Sequence, residues 1–212
     1  MNPPPENLIN AIYAENKTYV ENWIKKGYSL DIKNEKWGEN TILLVAASTG
    51  NVEIFNDLIK EDQSIHQRNQ NLVSSLEIAC SCKNLDFIKH IMDLGGDIFN
   101  ISKDGDPCFF SSLHSTIEIA QLFLERGVDI NTLNSKTGMN AISWNAFDSE
   151  HNDINFWLIE QGINIHHPDK SGKTALYEAY YHQNFFLMKK LLESGATFDV
   201  FDPDGKNWFE KK

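Results

Sequence analysis

The stretch DKSGKTALYEAYYHQNFFLMKKLLESGATFDV (169–200) is the one on which the fold turns. Its SGKT (171–174) looks like the tail of a phosphate-binding loop. Such a loop needs a glycine five residues ahead of the Gly-Lys pair, so that backbone amides can curl round the phosphates. Here that position is His167, and Pro168 beside it has no amide proton to give. No apolar strand run leads in either, because Asn164, Ile165 and His166 precede it. The stretch is not a nucleotide site, and its meaning lies in how it recurs.

Its end, LLESGATFDVFD (191–202), has counterparts in WIKKGYSLDIKN (23–34), LIKEDQSIHQRN (58–69), IMDLGGDIFNIS (91–102), FLERGVDINTLN (123–134) and LIEQGINIHHPD (158–169). The turn residues Gly27, Asp62, Gly95, Gly127, Gly162 and Gly195 fall at intervals of 35, 33, 32, 35 and 33. Before each turn residue the apolar side chains recur at helical spacing, as in Val52–Ile59. Glycine then stops the helix by entering the left-handed conformation. Ten or eleven residues on, Gly38, Gly105, Gly138, Gly172 and Gly205 each precede a second short helix, as in Thr41–Ala47. Between the two glycines lies a polar hairpin. Such a unit, repeated every ~33 residues, is the signature of a stacked helical array.

The last unit, set beside D-x-x-G-x-T-P-L-H-x-A…LL…GA, resembles the ankyrin repeat, and NTILLVAASTGNVEIFNDLI (40–59) does so nearly as well. The resemblance runs over residues 6–205 and implies an all-α solenoid of stacked helix-turn-helix units with short hairpin loops. It implies one domain over 1–212: an N-terminal capping repeat (6–34), repeats at 35–69, 70–102, 103–134, 135–168 and 169–201, and a C-terminal cap (202–212). Lys173 is then a hairpin-tip residue and Thr174 caps the inner helix. Leu44, Glu77, Phe110, Ser143 and Tyr177 stand where the family has histidine, and irregular hairpins are expected around 70–75 and 105–116. Trp208 and Phe209 are expected to cover the last helices.

Composition excludes several classes. No basic leader with an apolar stretch opens the chain, and no run approaches a membrane span, so a cytoplasmic protein is expected. Three cysteines, Cys80, Cys82 and Cys108, give no disulfide framework and too few ligands for a closed zinc site. The net charge of −11 divides unevenly. Residues 1–68 hold 10 acids and 7 bases, 69–168 hold 13 and 5, and 169–212 hold 7 and 7. That field disfavours nucleic acid and anionic membrane and favours a basic protein partner. No catalytic or metal residue and no cofactor is assigned. The cluster His166–His167 keeps a hydrolase as the alternative of another class.

Ankyrin arrays bind through hairpin tips and the exposed ends of inner helices. Carried onto this chain, the resemblance marks Trp37, Asn40, Ser48, Thr49, Asn71, Ser81, Cys82, Lys103, Asp104, Asp106 and His114. Further along it marks Met139, Phe147, Asp148, Lys170, Lys173, Tyr181 and His182. Trp144 and Tyr180 are offset toward the core. Asp104 and Asp106 are expected at a hairpin tip, in contact with the partner. A small acidic array of this kind looks like the immunity proteins that bacteria make against cytosol-acting toxins; an effector or scaffold that binds a host protein is the alternative.

Overall fold

The computed structural model describes residues 3–34, 39–61, 64–150 and 152–210. Expectations for Trp37, Gly38, Asp62 and His151 lie outside these residues. Backbone contacts gather into two compact units, Met1–Asp104 (unit 1) and Gly105–Lys212 (unit 2).

Unit 1 holds three helix pairs: α1 (Pro5–Tyr13) with α2 (Lys17–Lys25), α3 (Ile42–Thr49) with α4 (Val52–Lys60), and α5 (Ser75–Cys80) with α6 (Leu85–Asp93). Unit 2 holds α7 (Cys108–Ser112) with α8 (Ile117–Glu125), α9 (Ala141–Trp144) with α10 (Asn152–Glu160), and α11 (Ala175–Tyr181) with α12 (Phe185–Glu193). The first helix of each pair is the inner one. In unit 1, α3 packs on both α1 and α5, and Ile42 to Ala47 are fully buried, as a helix apolar on all sides must be. Phe55 and Phe87 meet edge to face, 5.3 Å apart, between the outer helices. In unit 2, α9 packs on α11 and α10 on α12, around Phe109, Phe123, Ile142, Leu158, Leu176 and Leu187.

Each outer helix except α4, whose turn lies outside the described residues, ends in the same way. At Gly127, φ is +93°; its N–H bonds to the Leu124 carbonyl and the N–H of Val128 to that of Phe123. These two bonds satisfy carbonyls that a helix end would otherwise leave open. The hairpins form too. β1 (Lys33–Asn34) pairs antiparallel with β2 (Asn40–Thr41), and isolated bridges join Arg68 to Ser74, Leu133 to Asn140 and Phe201 to Asn207.

The hairpin at 69–74 forms without its glycine. Leu72, ten residues after Asp62, takes that place with φ +60° and stays exposed, so the irregularity expected there is a strained residue in a regular turn. Thr174 occupies the N-cap of α11, but its side chain makes no capping bond. Ser74 does cap α5, and Glu77 completes the reciprocal box through the Ser74 N–H (2.8 Å). Glu77 Oε2 also accepts from the Ser74 hydroxyl (2.8 Å) and from Asn100 Nδ2. Burial pushes the Glu77 carboxyl above the ordinary glutamate range, against the opposing pull of these hydrogen bonds and of Arg68.

Leu72→Gly should therefore raise stability by about 1 kcal/mol, roughly 2–4 °C in Tm for a chain of this size. Gly172→Ala should do the reverse, because φ is +85° there and a Cβ would collide with the Phe201 carbonyl. Glu77 binds its proton more readily folded than unfolded, so it favours the fold as pH falls from neutral toward the ordinary glutamate range. Thermal melts from pH 7 to about 5 should show wild type gaining on Glu77→Gln. A difference that does not change with pH would contradict the burial of this carboxyl.

Candidate functional site

Among the described residues each helix pair offers the end of its inner helix, and each unit dresses these ends in its own way. In unit 1 the polar groups turn back on their own backbone. Ser48, Thr49 and Ser81 hydroxyls donate to the carbonyls of Val45 (2.7 Å), Ala46 (2.9 Å) and Ile78 (2.7 Å). Cys82 Sγ lies 3.3 and 3.2 Å from the carbonyls of Ala47 and Ser48. Asn40 Oδ1 accepts from Asn69 Nδ2 (2.8 Å), and the Asn71 carbonyl accepts from the Lys103 N–H (2.7 Å). Lys103 and Asp104 are exposed.

Unit 2 carries a row of rings. Trp144 lies 5.2 Å from His114 and 6.1 Å from Phe147. Phe147 is 6.1 Å from both His114 and His182, and His182 meets Tyr181 edge-on at 5.1 Å. Tyr181 stacks on Tyr177 at 6.2 Å, and Trp208 closes the row 5.3 Å from Tyr177. Phe147 and Tyr181 stand exposed, Met139 is half-buried, and Trp144 is half-buried rather than core. Tyr180, also expected in the core, is exposed.

Carboxylates line the row. Asp148 Oδ2 is 3.2 Å from His114 Nδ1, and Asp148 Oδ1 accepts from the Glu150 N–H (2.9 Å). Glu178 Oε2 is 3.6 Å from His182 Nε2, while its Oε1 is buried without a hydrogen bond. Burial pushes the Glu178 carboxyl up, against the pull of Lys173 and His182.

Two residues expected at hairpin tips make bonds within the chain. Asp106 is half-buried and its Oδ1 accepts from Asn134 Nδ2 (2.6 Å), tying one hairpin to the next. Lys173 closes the hairpin from its base: its carbonyl accepts from the Asp169 N–H (2.7 Å) and its own N–H reaches Asp169 Oδ1 (2.9 Å). Its ammonium sits 5.1 Å over Tyr177 and 4.9 Å over Trp208, a cation–π contact that ties the turn at Trp208 to α11. Lys170 is exposed, but its Nζ donates to the Ser135 carbonyl (2.8 Å).

The loop bearing Phe147 and Asp148 is held by buried amides that the motif comparison does not reveal. Asn152 and Asn184 exchange hydrogen bonds in both directions (3.0 and 2.9 Å). Asn184 Nδ2 also reaches the Ala146 carbonyl (3.1 Å), and Asn145 Nδ2 donates to Asn155 Oδ1 (3.1 Å). Asn184 further caps α12 through the Leu187 N–H (3.1 Å), as Asn16, Asn51 and Asn84 cap α2, α4 and α6. The asparagine that recurs at the head of α2, α4, α6 and α12, where α8 has Thr116, is the sequence signal that leads to Asn184.

His166 is exposed, and His167 Nε2 donates to the Gly138 carbonyl (2.9 Å). Burial pushes the Cys80 and Cys82 thiols up, so neither is an activated nucleophile. Among the described residues no group of three or more His, Cys, Asp or Glu side chains could hold a metal ion, and no helix is long and apolar enough to cross a membrane.

Asn184→Ala removes a cap and strands buried partners, so it should cost about 3 kcal/mol, roughly 6–12 °C in Tm. Asn84→Ala removes an exposed cap and should cost about 1 kcal/mol. Equal losses in thermal melts would show that the amide network holds nothing beyond the helix start.

A model of ankyrin repeats (3 copies) matches residues 8–102 and again 109–202. The ankyrin repeat protein OPG189 of Variola virus is 22% identical over 206 residues, covering 93% of this chain and 36% of the viral protein. SAT10, an ankyrin repeat domain-containing protein of Stachybotrys chartarum, is 24% identical over 208 residues, 95% of this chain and 10% of its own length. The chain thus spans about a third or less of these relatives. Among solved structures, the ankyrin repeat domain of Bcl-3 superposes with a TM-score of 0.72 at 22% identity, over 94% of this chain and 90% of that one. A chain from the complex of the Bd0816 predatory endopeptidase of Bdellovibrio bacteriovorus with the immunity protein Bd3460 gives 0.74 at 22% identity, over 88% and 96%. Helix pairs, glycine stops, hairpins and the matched repeats agree: this chain belongs to the ankyrin-repeat family, a protein–protein interaction module.

Proposed function

We propose that this is a non-enzymatic binding protein that takes a basic protein on the inner-helix ends of unit 2 and inhibits it, the partner being a toxin that acts in the cytosol. The observation that carries the reading is the row Trp144–His114–Phe147–His182–Tyr181, open to solvent at Phe147 and Tyr181. Rigid aromatic side chains of this kind anchor protein interfaces. The charge around them favours a cation, since residues 105–168 hold eight acids against two bases and Asp148 borders the row. Steering by such a field speeds encounter with a basic surface. The endopeptidase–immunity complex supports the inhibitory part in kind, because one of its chains has this fold. The proposal places the protein in the cytoplasm.

The immobilised 212-residue chain should capture a basic protein, and Phe147→Ala with Tyr181→Ala should weaken that binding about tenfold or more. Raising salt from about 0.05 to about 0.5 M should slow association by a similar factor. Cells producing the captured protein should regain growth when the chain is co-produced, and should not regain it with the double variant. An acidic partner held undiminished at high salt would sink the electrostatic part, and a captured protein harmless to cells would sink the inhibitory part. Hydrolase activity abolished by His166→Ala with His167→Ala would overturn the binding reading itself.

A further inference from the structure

The exposed ring of Phe147 stands between two histidines. His114 and His182 each lie 6.1 Å from it, one from the helix pair before and one from the pair after. Histidine is the side chain whose charge ordinarily changes between pH 5 and 8, and the row holds two of them beside its anchor. Each is seated on a carboxylate: Asp148 Oδ2 is 3.2 Å from His114 Nδ1, and Glu178 Oε2 is 3.6 Å from His182 Nε2. The acids are the covered partners. The side chains of Asp148 and Glu178 are 14% and 8% exposed, those of His114 and His182 38% and 40%. A protein that settles on the row therefore meets the imidazoles before the carboxylates.

We propose, on the reading that this row is the partner's site, that protons regulate it: a basic protein is held while His114 and His182 are neutral and released when both are charged. With neutral imidazoles, Asp148 and Glu178 are the charges beside Phe147, and they attract a basic surface. Protonation sets a cation over each acid. The local charge then rises by two, and the attraction is cancelled at the anchor itself. Charges 6.1 Å from Phe147 lie inside the ~8 Å over which physiological salt screens, so the change is felt there. The facing groups work in the same direction or stay constant. Asp148, from the loop after α9, is the acid that faces His114, and Glu178, on α11 itself, is the one that faces His182. Lys173 and Asp169, from the hairpin before α11, act on Glu178 in opposite senses. Burial pushes the Glu178 carboxyl up, so any proton it gains on the same descent in pH removes a further negative charge.

The captured basic protein should bind the 212-residue chain with a dissociation constant about tenfold or more higher at about pH 5.5 than at about pH 7.5. In His114→Gln with His182→Gln that ratio should fall to about threefold or less, whereas Glu178→Gln should keep most of it. A decalysine peptide, whose charge is constant over this range, serves as a second probe. Its ratio between the two pH values should likewise be larger for wild type than for the double histidine variant. A wild-type ratio near one, a ratio that survives intact in the double variant, or one lost in Glu178→Gln alone would each overturn the proposal. Failure to capture any basic protein would sink the reading on which it rests, and the decalysine ratios would still decide whether the histidines switch the row.

Discussion

A helix that stops must do something with its last carbonyls, and in this chain the answer governs everything that follows. After α8 the left-handed Gly127 turns the backbone so that two successive amides bond back to Leu124 and Phe123. The same pair of bonds closes α2, α6, α10 and α12 at the equivalent glycines. In unit 2 the turn drives the next apolar residue under the helix it ends, where Val128, Ile163 and Ala196 are buried. The exit direction is thereby set by backbone hydrogen bonding rather than by surface chemistry. A hairpin can then form at each exit and a short inner helix can start from it.

The inner-helix ends are positions supplied by this frame, and their chemistry is free to differ between repeats. Unit 1 fills them with Ser48, Thr49, Ser81 and Cys82, which satisfy themselves on nearby carbonyls. Unit 2 fills them with His114, Phe147, Tyr181 and His182, whose rings contact one another instead. Hydroxyls already paired with backbone have little left to offer a partner, whereas exposed rings lose only water on contact. Function lies in that difference, on a scaffold common to both.

Holding a ring row in place takes more than packing. The loop after α9 is anchored by Asn145, Asn152, Asn155 and Asn184, all buried. A buried amide is costly unless paired, so each one restricts the loop to the geometry in which its partners are found. Lys173 does comparable work beside α11, where its ammonium is shared by Tyr177 and Trp208.

Much of this was legible along the chain, and the boundary has a physical basis. The stride from Gly27 to Gly195 and the apolar period of Val52–Ile59 follow from rules that act within one or two turns of backbone, and the exposure of Phe147 and Tyr181 is what the ankyrin resemblance implied. The roles of Asp106, Lys173 and Tyr180 do not. Asp106 meets an asparagine 28 residues away, and Asn152 meets one 32 away. Tyr180 is exposed because no further helix pair covers it among the described residues, whereas Ala146 one repeat earlier is covered. Leu72 is left-handed because the hairpin around it forms regardless of its side chain. Local sequence determined which elements form and where they stop, since dihedral preference and hydrophobic period are short-range. Only the stacked structure decided which side chains are spent on neighbouring repeats and which are left for a partner, because that depends on groups a full repeat apart.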